Sequence, residues 1–255
     1  MWAKEIFLGT KDSLNYFQAA KILMRSKDIH KPLILSICWT GFVFLGSLLC
    51  FSLILDPLLQ IYPRIERLFT IFYYILWLFP LYFICFILNT FCYADIALSA
   101  FQQIHGQPKA TALSISRRIA YEAHRGLIIG IYVMEVTFIS LLPFSEILDL
   151  FLLSWLYSFY CFEYRWALEG KTINREISII EHNSFYYFGF GLPFALITFW
   201  FPGLMGNGLW LLIFPVFMVT ALISKPPSEK HTVRIPLFKF AHRVSSTLEV
   251  FLLKK

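Results

Sequence analysis

LILSICWTGFVFLGSLLCFSLIL, residues Leu33–Leu55, is 23 residues long and carries no charge. A hydrocarbon core of ~30 Å needs about 20 helical residues, so this run is long enough to cross a bilayer. A second run, Leu68–Ala94, has 27 residues and is also uncharged. Only 15% of the chain is charged, against about a quarter in soluble domains, so there is too little polar surface to wrap such segments in water. These two runs predict an all-α integral membrane protein.

Upstream of them, residues 1–31 are of mixed charge, and no short apolar run precedes a small-residue cleavage site. The first span is therefore expected to act as an uncleaved signal-anchor. Within residues 1–27, Ala3, Ile6, Phe7, Leu14, Phe17 and Met24 recur near helical spacing, while Lys4, Lys11 and Arg25 fall elsewhere on the wheel. That pattern predicts an amphipathic helix that either lies on the cytosolic leaflet or packs against the bundle.

Downstream, four shorter apolar stretches form two pairs. Gly126–Phe144 and Ile147–Phe162 meet at Pro143, with Glu146 and Asp149 just beyond. Phe185–Phe201 and Leu209–Ile223 meet across Pro202-Gly203 and Gly206-Asn207-Gly208. Each half is near or below spanning length, so both pairs read as helical hairpins that need not cross the whole bilayer. The chain thus divides into a cytosolic amphipathic segment (1–31), a membrane domain (32–223) and a basic tail (224–255).

Charge sets the orientation. Lysine and arginine number six in residues 1–31, two in 56–67, four in 95–125, three in 163–183 and seven in 224–255. Alternate loops therefore hold 20 basic residues on one side and 2 on the other, which predicts that both termini are cytosolic. In the tail, Ile235, Leu237, Phe238 and Phe240 are spaced among the basic residues, a composition suited to anionic lipid at the cytosolic face.

The search for chemistry yields little. The cysteines Cys38, Cys50, Cys85, Cys92 and Cys161 all sit in apolar segments without a CxxC pair, and the histidines show no metal-ligand spacing. No nucleotide-binding, zinc-protease or serine-hydrolase motif occurs. No enzyme activity, cofactor, metal or nucleic-acid partner is expected. Glu135, inside the third stretch, is the one acid at bilayer depth. It reads as a polar pathway or as a residue hydrogen-bonded near Tyr132 or Thr137, the second being favoured.

The densest polar cluster is at the exit of the fourth stretch. Glu163 and Arg165 flank Tyr164, beside Tyr160 and Trp166, an arrangement suited to an aromatic belt at headgroup depth. Two residues apart on a helix, the two charges cannot face each other, so each is expected to meet another partner, Glu181 or Arg175, in a structural clamp. Gly189, Gly191 and Pro193 follow at the mouth of the last hairpin. They suit either exposed backbone N–H groups that hold an anion or close helix packing.

The run Tyr157–Trp166 (YSFYCFEYRW), Ile180-Glu181-His182-Asn183, and Tyr186–Pro193 (YYFGFGLP) together closely resemble the signature of the etoposide-induced endoplasmic reticulum membrane protein family, which is related to bacterial CysZ sulfate permeases. Asp95-Ile96-Ala97 with Gly106-Gln107-Pro108 is similar to that family's segment after its second span. The resemblance implies a CysZ-like fold, with two long transmembrane helices and two helical hairpins. It also implies residence in the endoplasmic reticulum, a need in autophagy, autophagy-related protein partners and, in animals, a link to growth suppression and apoptosis. An oligomer is compatible with it.

The same resemblance offers a second function, conduction of sulfate or another anion. In the bacterial relatives the anion site lies in a glycine-containing segment at the start of the first span. Here that position reads His30-Lys31-Pro32-Leu33, which weighs against conduction. Much of the N-terminal region that animal members carry is expected to be missing here, so partner-binding functions assigned to that region are not carried over.

Overall fold

The computed structural model describes residues 2–61, 63–108, 130–138, 146–201, 203–227 and 235–236; for 63–66 and 146 it gives the backbone only. The turn expected at Pro143, the histidines His124, His231 and His242, and most of the basic tail lie outside these residues. All the regular structure among the described residues is helical.

The amphipathic segment forms two helices, α1 (Trp2–Ser13) and α2 (Tyr16–Arg25). α3 runs from Lys27 to Leu59 and α4 from Arg67 to His105, the latter continuing a helix that begins at Pro63. A short helix α5 covers 130–138. Then come α6 (Glu146–Leu168), α7 (Ile173–His182), α8 (Ser184–Phe199) and α9 (Leu204–Ile223). Among the described residues α3, α4 and α9 are long and apolar enough to cross a membrane. The chain is an all-α, multi-pass membrane protein.

Both long spans exceed their uncharged runs. At 33 and 39 residues they are longer than the ~20 that a bilayer core requires, so they tilt or project beyond it. The projecting end of α4 is buried in protein, through Tyr93, Ile96, Ala97, Ala100 and Phe101. The opposite part of the pair forms an arm with a small core of its own, around Phe44, Leu48, Leu78 and Cys85. Wider π-helical turns at Cys38–Leu45, Phe51–Leu55 and Tyr74–Leu78 all fall in α3 and α4.

The last hairpin differs from the sequence expectation. Its turn is short, with Gly203 at a φ of 71°, and α9 starts at Leu204 instead of Leu209. Gly206 and Gly208 therefore lie inside a helix. Glycine's low helix propensity suggests a loop there, but packing overrides it. A Cβ on Gly206 would strike the Phe201 carbonyl, and one on Gly208 would strike the Phe44 and Leu45 side chains.

The main core gathers α2, α5, α6, α7, α8, α9, the start of α3 and the end of α4 around an aromatic stack. Phe194 lies parallel to Phe217 at 4.3 Å and to Trp210 at 6.1 Å, and Trp210 packs on Phe214 at 5.0 Å. Tyr93 adds a further ring against Phe214 at 4.8 Å. Offset and tilted pairs at these separations add cohesion beyond the area they bury.

Candidate functional site: the motif junction

The signature motifs meet where α8 is held between α1 and α6. Gly189 and Gly191 are two residues apart, so they point to different sides of α8. A Cβ on Gly189 would enter the backbone of Ile6 in α1, and a Cβ on Gly191 would enter the carbonyl of Ser154 in α6. Gly9 reciprocates from α1, where a Cβ would meet the carbonyl of Tyr186. Glycine is required at these points because backbone packs directly on backbone.

Proline completes the arrangement. Pro193 has no N–H to give to the carbonyl four residues earlier, that of Gly189. The Thr10 hydroxyl of α1 takes that place, 2.9 Å from the Gly189 oxygen, sharing its proton with the Ile6 carbonyl of its own helix at the same distance. The device recurs in α9, where Pro215 frees the Leu211 carbonyl and the Tyr93 hydroxyl of α4 donates to it. In each case a helix-breaking residue becomes an interhelical bond, as low-dielectric surroundings demand. Further bonds run from Tyr186 to Asp12 at 2.7 Å, from Ser158 to the Tyr187 carbonyl and from the Trp155 indole to the Ser184 carbonyl at 2.8 Å.

Because α8 begins at Ser184, both motif glycines lie in its second turn with their N–H groups inside the helical ladder. Of the two uses open to them from sequence, the geometry is that of close packing. The aromatic residues also face inward instead of forming a belt. Trp166 is 1% exposed and packs edge-on to Phe159 and Tyr187, Tyr164 meets Phe214 at 5.9 Å, and Tyr160 meets Trp210 at 5.6 Å. Tyr160 also lines a cavity of about 350 Å³ with Tyr82, Phe86, Tyr157, Asn207 and Trp210.

Arg165 ties α6 to the end of α9. Its Nη1 donates to the carbonyls of Ser224 at 2.7 Å and Ala221 at 3.0 Å, and its Nε pairs with Glu169 at 2.9 Å. Lys171 joins the same carboxylate. The ion-pair partner is thus Glu169, four residues on and just past the end of α6, and not Glu181. The guanidinium fork satisfies carbonyls that a helix end leaves without partners, and its charge opposes the negative end of the α9 dipole. Burial alone would raise the Glu169 carboxyl, but hydrogen bonds and charge from Lys171 and Arg165 outweigh it and hold it below the usual carboxylate range. At the same end the His105 Nε2–H donates to the Leu222 carbonyl at 2.8 Å, so the C-termini of α4, α6 and α9 converge there.

Glu163 is half-buried on α6, and Glu181 is 1% exposed at the end of α7, where its carbonyl accepts from the Ile235 N–H at 3.2 Å. Glu135 lies on α5. Of the residues near which it is expected, Tyr132 donates to the Leu152 carbonyl at 3.2 Å and Thr137 to that of Val133 at 2.8 Å. The Glu135 Oε1 is buried without a hydrogen bond. No cluster of three or more metal-ligating side chains occurs among the described residues.

Residues 15–205, well over half of the chain, match the family described as sulfate transporter CysZ/etoposide-induced protein 2.4. A Dictyostelium discoideum protein named "Protein EI24 homolog" is 32% identical over 229 residues, covering 88% of this chain and 75% of its own. An Arabidopsis thaliana protein of the same name is 27% identical over 262 residues, covering 86% and 82%. No solved structure matches.

Proposed function

Because the chain belongs to the CysZ/etoposide-induced protein 2.4 family of membrane proteins, we propose that it is a non-enzymatic protein of the endoplasmic reticulum membrane that supports autophagosome formation. The observation that carries this reading is similarity to eukaryotic relatives along most of the chain. The junction supports a structural part in it, since Gly189, Gly191, Pro193 and Arg165 join helices. Both termini are cytosolic on this reading, with autophagy proteins as partners at that face. The 20-to-2 division of basic residues supports the orientation. The test is bulk autophagic flux in a deletion strain, together with protease digestion of tagged termini in sealed microsomes. Loss of flux with both tags digested is expected. Normal flux overturns the function, and a protected tag overturns the topology.

The family description also names a sulfate transporter, which makes anion conduction the second reading. The start of α3 argues against it. Its first turn carries the carboxylate of Asp28, where a bound anion would be repelled. Sulfate uptake by proteoliposomes containing the purified protein separates the two readings. Uptake above that of empty vesicles would establish conduction, and none is expected.

A further inference from the structure

α1 and α2 carry the same arrangement twice, ten residues apart. In α1, exposed Phe7 is followed by buried Gly9, exposed Lys11 and buried Ser13, and exposed Leu14 comes directly after its last residue. In α2, exposed Phe17 is followed by buried Ala19, exposed Lys21, buried Leu23 and exposed Met24. At ~100° per residue, each apolar pair stands on a single stripe and each lysine lies ~40° to one side of it. Lys4 extends the basic edge of α1, and Arg25 that of α2. Phe7, Phe17 and Met24 are 69%, 84% and 70% exposed.

The packed faces fix the rotation of both helices. Gly9 and Thr10 are seated on α8, Trp2 stacks on Phe185 at 5.3 Å, and Tyr16 packs edge-on to Phe217 of α9 at 5.6 Å. The acids of this segment turn away from the outer face. Glu5 and Asp12 are half-buried, Asp12 under the Tyr186 hydroxyl, and α2 has none. The outer face of the helix pair is therefore an apolar stripe edged by Lys4, Lys11, Lys21 and Arg25, with no exposed acid on either helix.

Position identifies what covers it. Only Ser26 separates α2 from α3, whose apolar run then enters the bilayer. Met24 is thus three residues from the start of a spanning helix, and the stripe is held at the level of the lipid surface. We propose that α1 and α2 form a preformed platform that docks on anionic phospholipid of the leaflet at this end of the protein. Phe7, Leu14, Phe17 and Met24 enter the acyl boundary, and the four basic side chains engage phosphate. The docking is built into the fold, because the α8 and α9 contacts orient the stripe before any lipid arrives.

The test places the photocrosslinker benzoylphenylalanine at Phe17, or at Gln18 as control, in the full-length protein. Each variant is reconstituted in phosphatidylcholine vesicles with and without phosphatidylserine. The platform requires lipid adducts at Phe17, few at Gln18, and enrichment of phosphatidylserine among the Phe17 adducts. Lys21→Glu and Arg25→Glu, which change only exposed charge, should each reduce that enrichment about fivefold while lipid adducts persist. Adducts to a second copy or another protein, or no lipid adduct at all, would overturn the platform. Equal labelling of both lipids, unaffected by the charge reversals, would overturn its preference for anionic lipid.

Discussion

Of the most apolar window of α9, 67% is buried inside the protein, against 22% for α3 and 11% for α4. The motif junction and the α3–α4 arm are thus two solutions to one problem. Lipid tails are as apolar as leucine, so burying a side chain against protein in a bilayer gains little over leaving it in lipid. The junction takes its cohesion from close backbone approach, stacked rings and carbonyls freed by proline. The arm relies on its small core, on Phe51 stacked against Tyr73 at 4.3 Å and on a few polar contacts. Asn89 donates to Thr40 at 2.7 Å, and Ser47 joins Tyr73 at 2.9 Å and the Trp77 indole at 2.7 Å. If this division is right, equivalent substitutions should have very different effects in the two regions.

The largest effect is expected at Gly191. Gly191→Ala drives a methyl into the Ser154 carbonyl and forces α6 and α8 apart, and it should cost about 3 kcal/mol or more. Gly130→Ala is the matched control, because nothing lies within 4 Å of a Cβ there. It should be neutral or stabilising by up to about 1 kcal/mol, from helix propensity alone. Thermal unfolding of both variants in mild detergent checks the pair. Equal effects would mean that close approach does not hold the junction together.

Next comes Arg165→Ala, which leaves the Ser224 and Ala221 carbonyls and the Glu169 carboxylate without their shared partner. With side chains 15% and 23% exposed, the pair is only partly screened, and a loss of about 2–3 kcal/mol is expected. Folded protein and the proposed autophagic function should then fall together. Wild-type abundance with abolished function would instead make Arg165 a functional group. Glu169 adds a pH signature. Its folded pKa is depressed, so its contribution is present above the ordinary carboxylate range and is lost as pH falls through the folded value. The melting temperature of Glu169→Gln should show a smaller acid-side decline than that of the wild type.

A smaller, more diagnostic effect is expected at Thr10. Thr10→Val leaves the Gly189 carbonyl without a donor and should cost about 1 kcal/mol. In a Pro193→Ala background the new N–H can serve that carbonyl, so the same substitution should cost almost nothing. A double-mutant cycle measures the difference directly. Additive effects would show that the proline and the threonine act independently.

These positions also show how far the sequence could be read. The two long spans were legible because an uncharged run of sufficient length has few alternatives in water. The start of α9 was not, because the propensity of Gly206 and Gly208 favours a loop and only contacts with Phe201, Phe44 and Leu45 reverse it. The inward direction of Tyr160, Tyr164 and Trp166 was hidden because aromatic residues near a charge suit a belt and a core equally well. The target of Arg165 lies 56 to 59 residues away on α9, a separation that local spacing cannot reveal. Thr10 was overlooked although a signal existed: a proline inside an apolar helix frees one carbonyl four residues back, and a neighbouring hydroxyl must be sought for it.

The smallest effect is expected in the arm, at Leu53. This side chain is 72% exposed on α3, in the stretch Phe51–Leu55. In water, truncating a large aliphatic residue on a spanning helix would draw attention to lost burial. In a bilayer the leucine meets acyl chains in the folded state and in the unfolded, membrane-inserted state alike, so the transfer contribution cancels. No cavity forms either, because lipid flows into the space that a rigid core would leave empty. Leu53→Ala should therefore change stability by no more than about 0.5 kcal/mol. Phe214→Ala, at 1% exposure within the ring stack, should cost about 3–5 kcal/mol. Both can be measured in one detergent series and repeated in lipid nanodiscs. A loss well above 1 kcal/mol for Leu53→Ala, dependent on protein concentration, would mean that a second copy covers this face, and the arm would then be an interface instead of a lipid-facing surface.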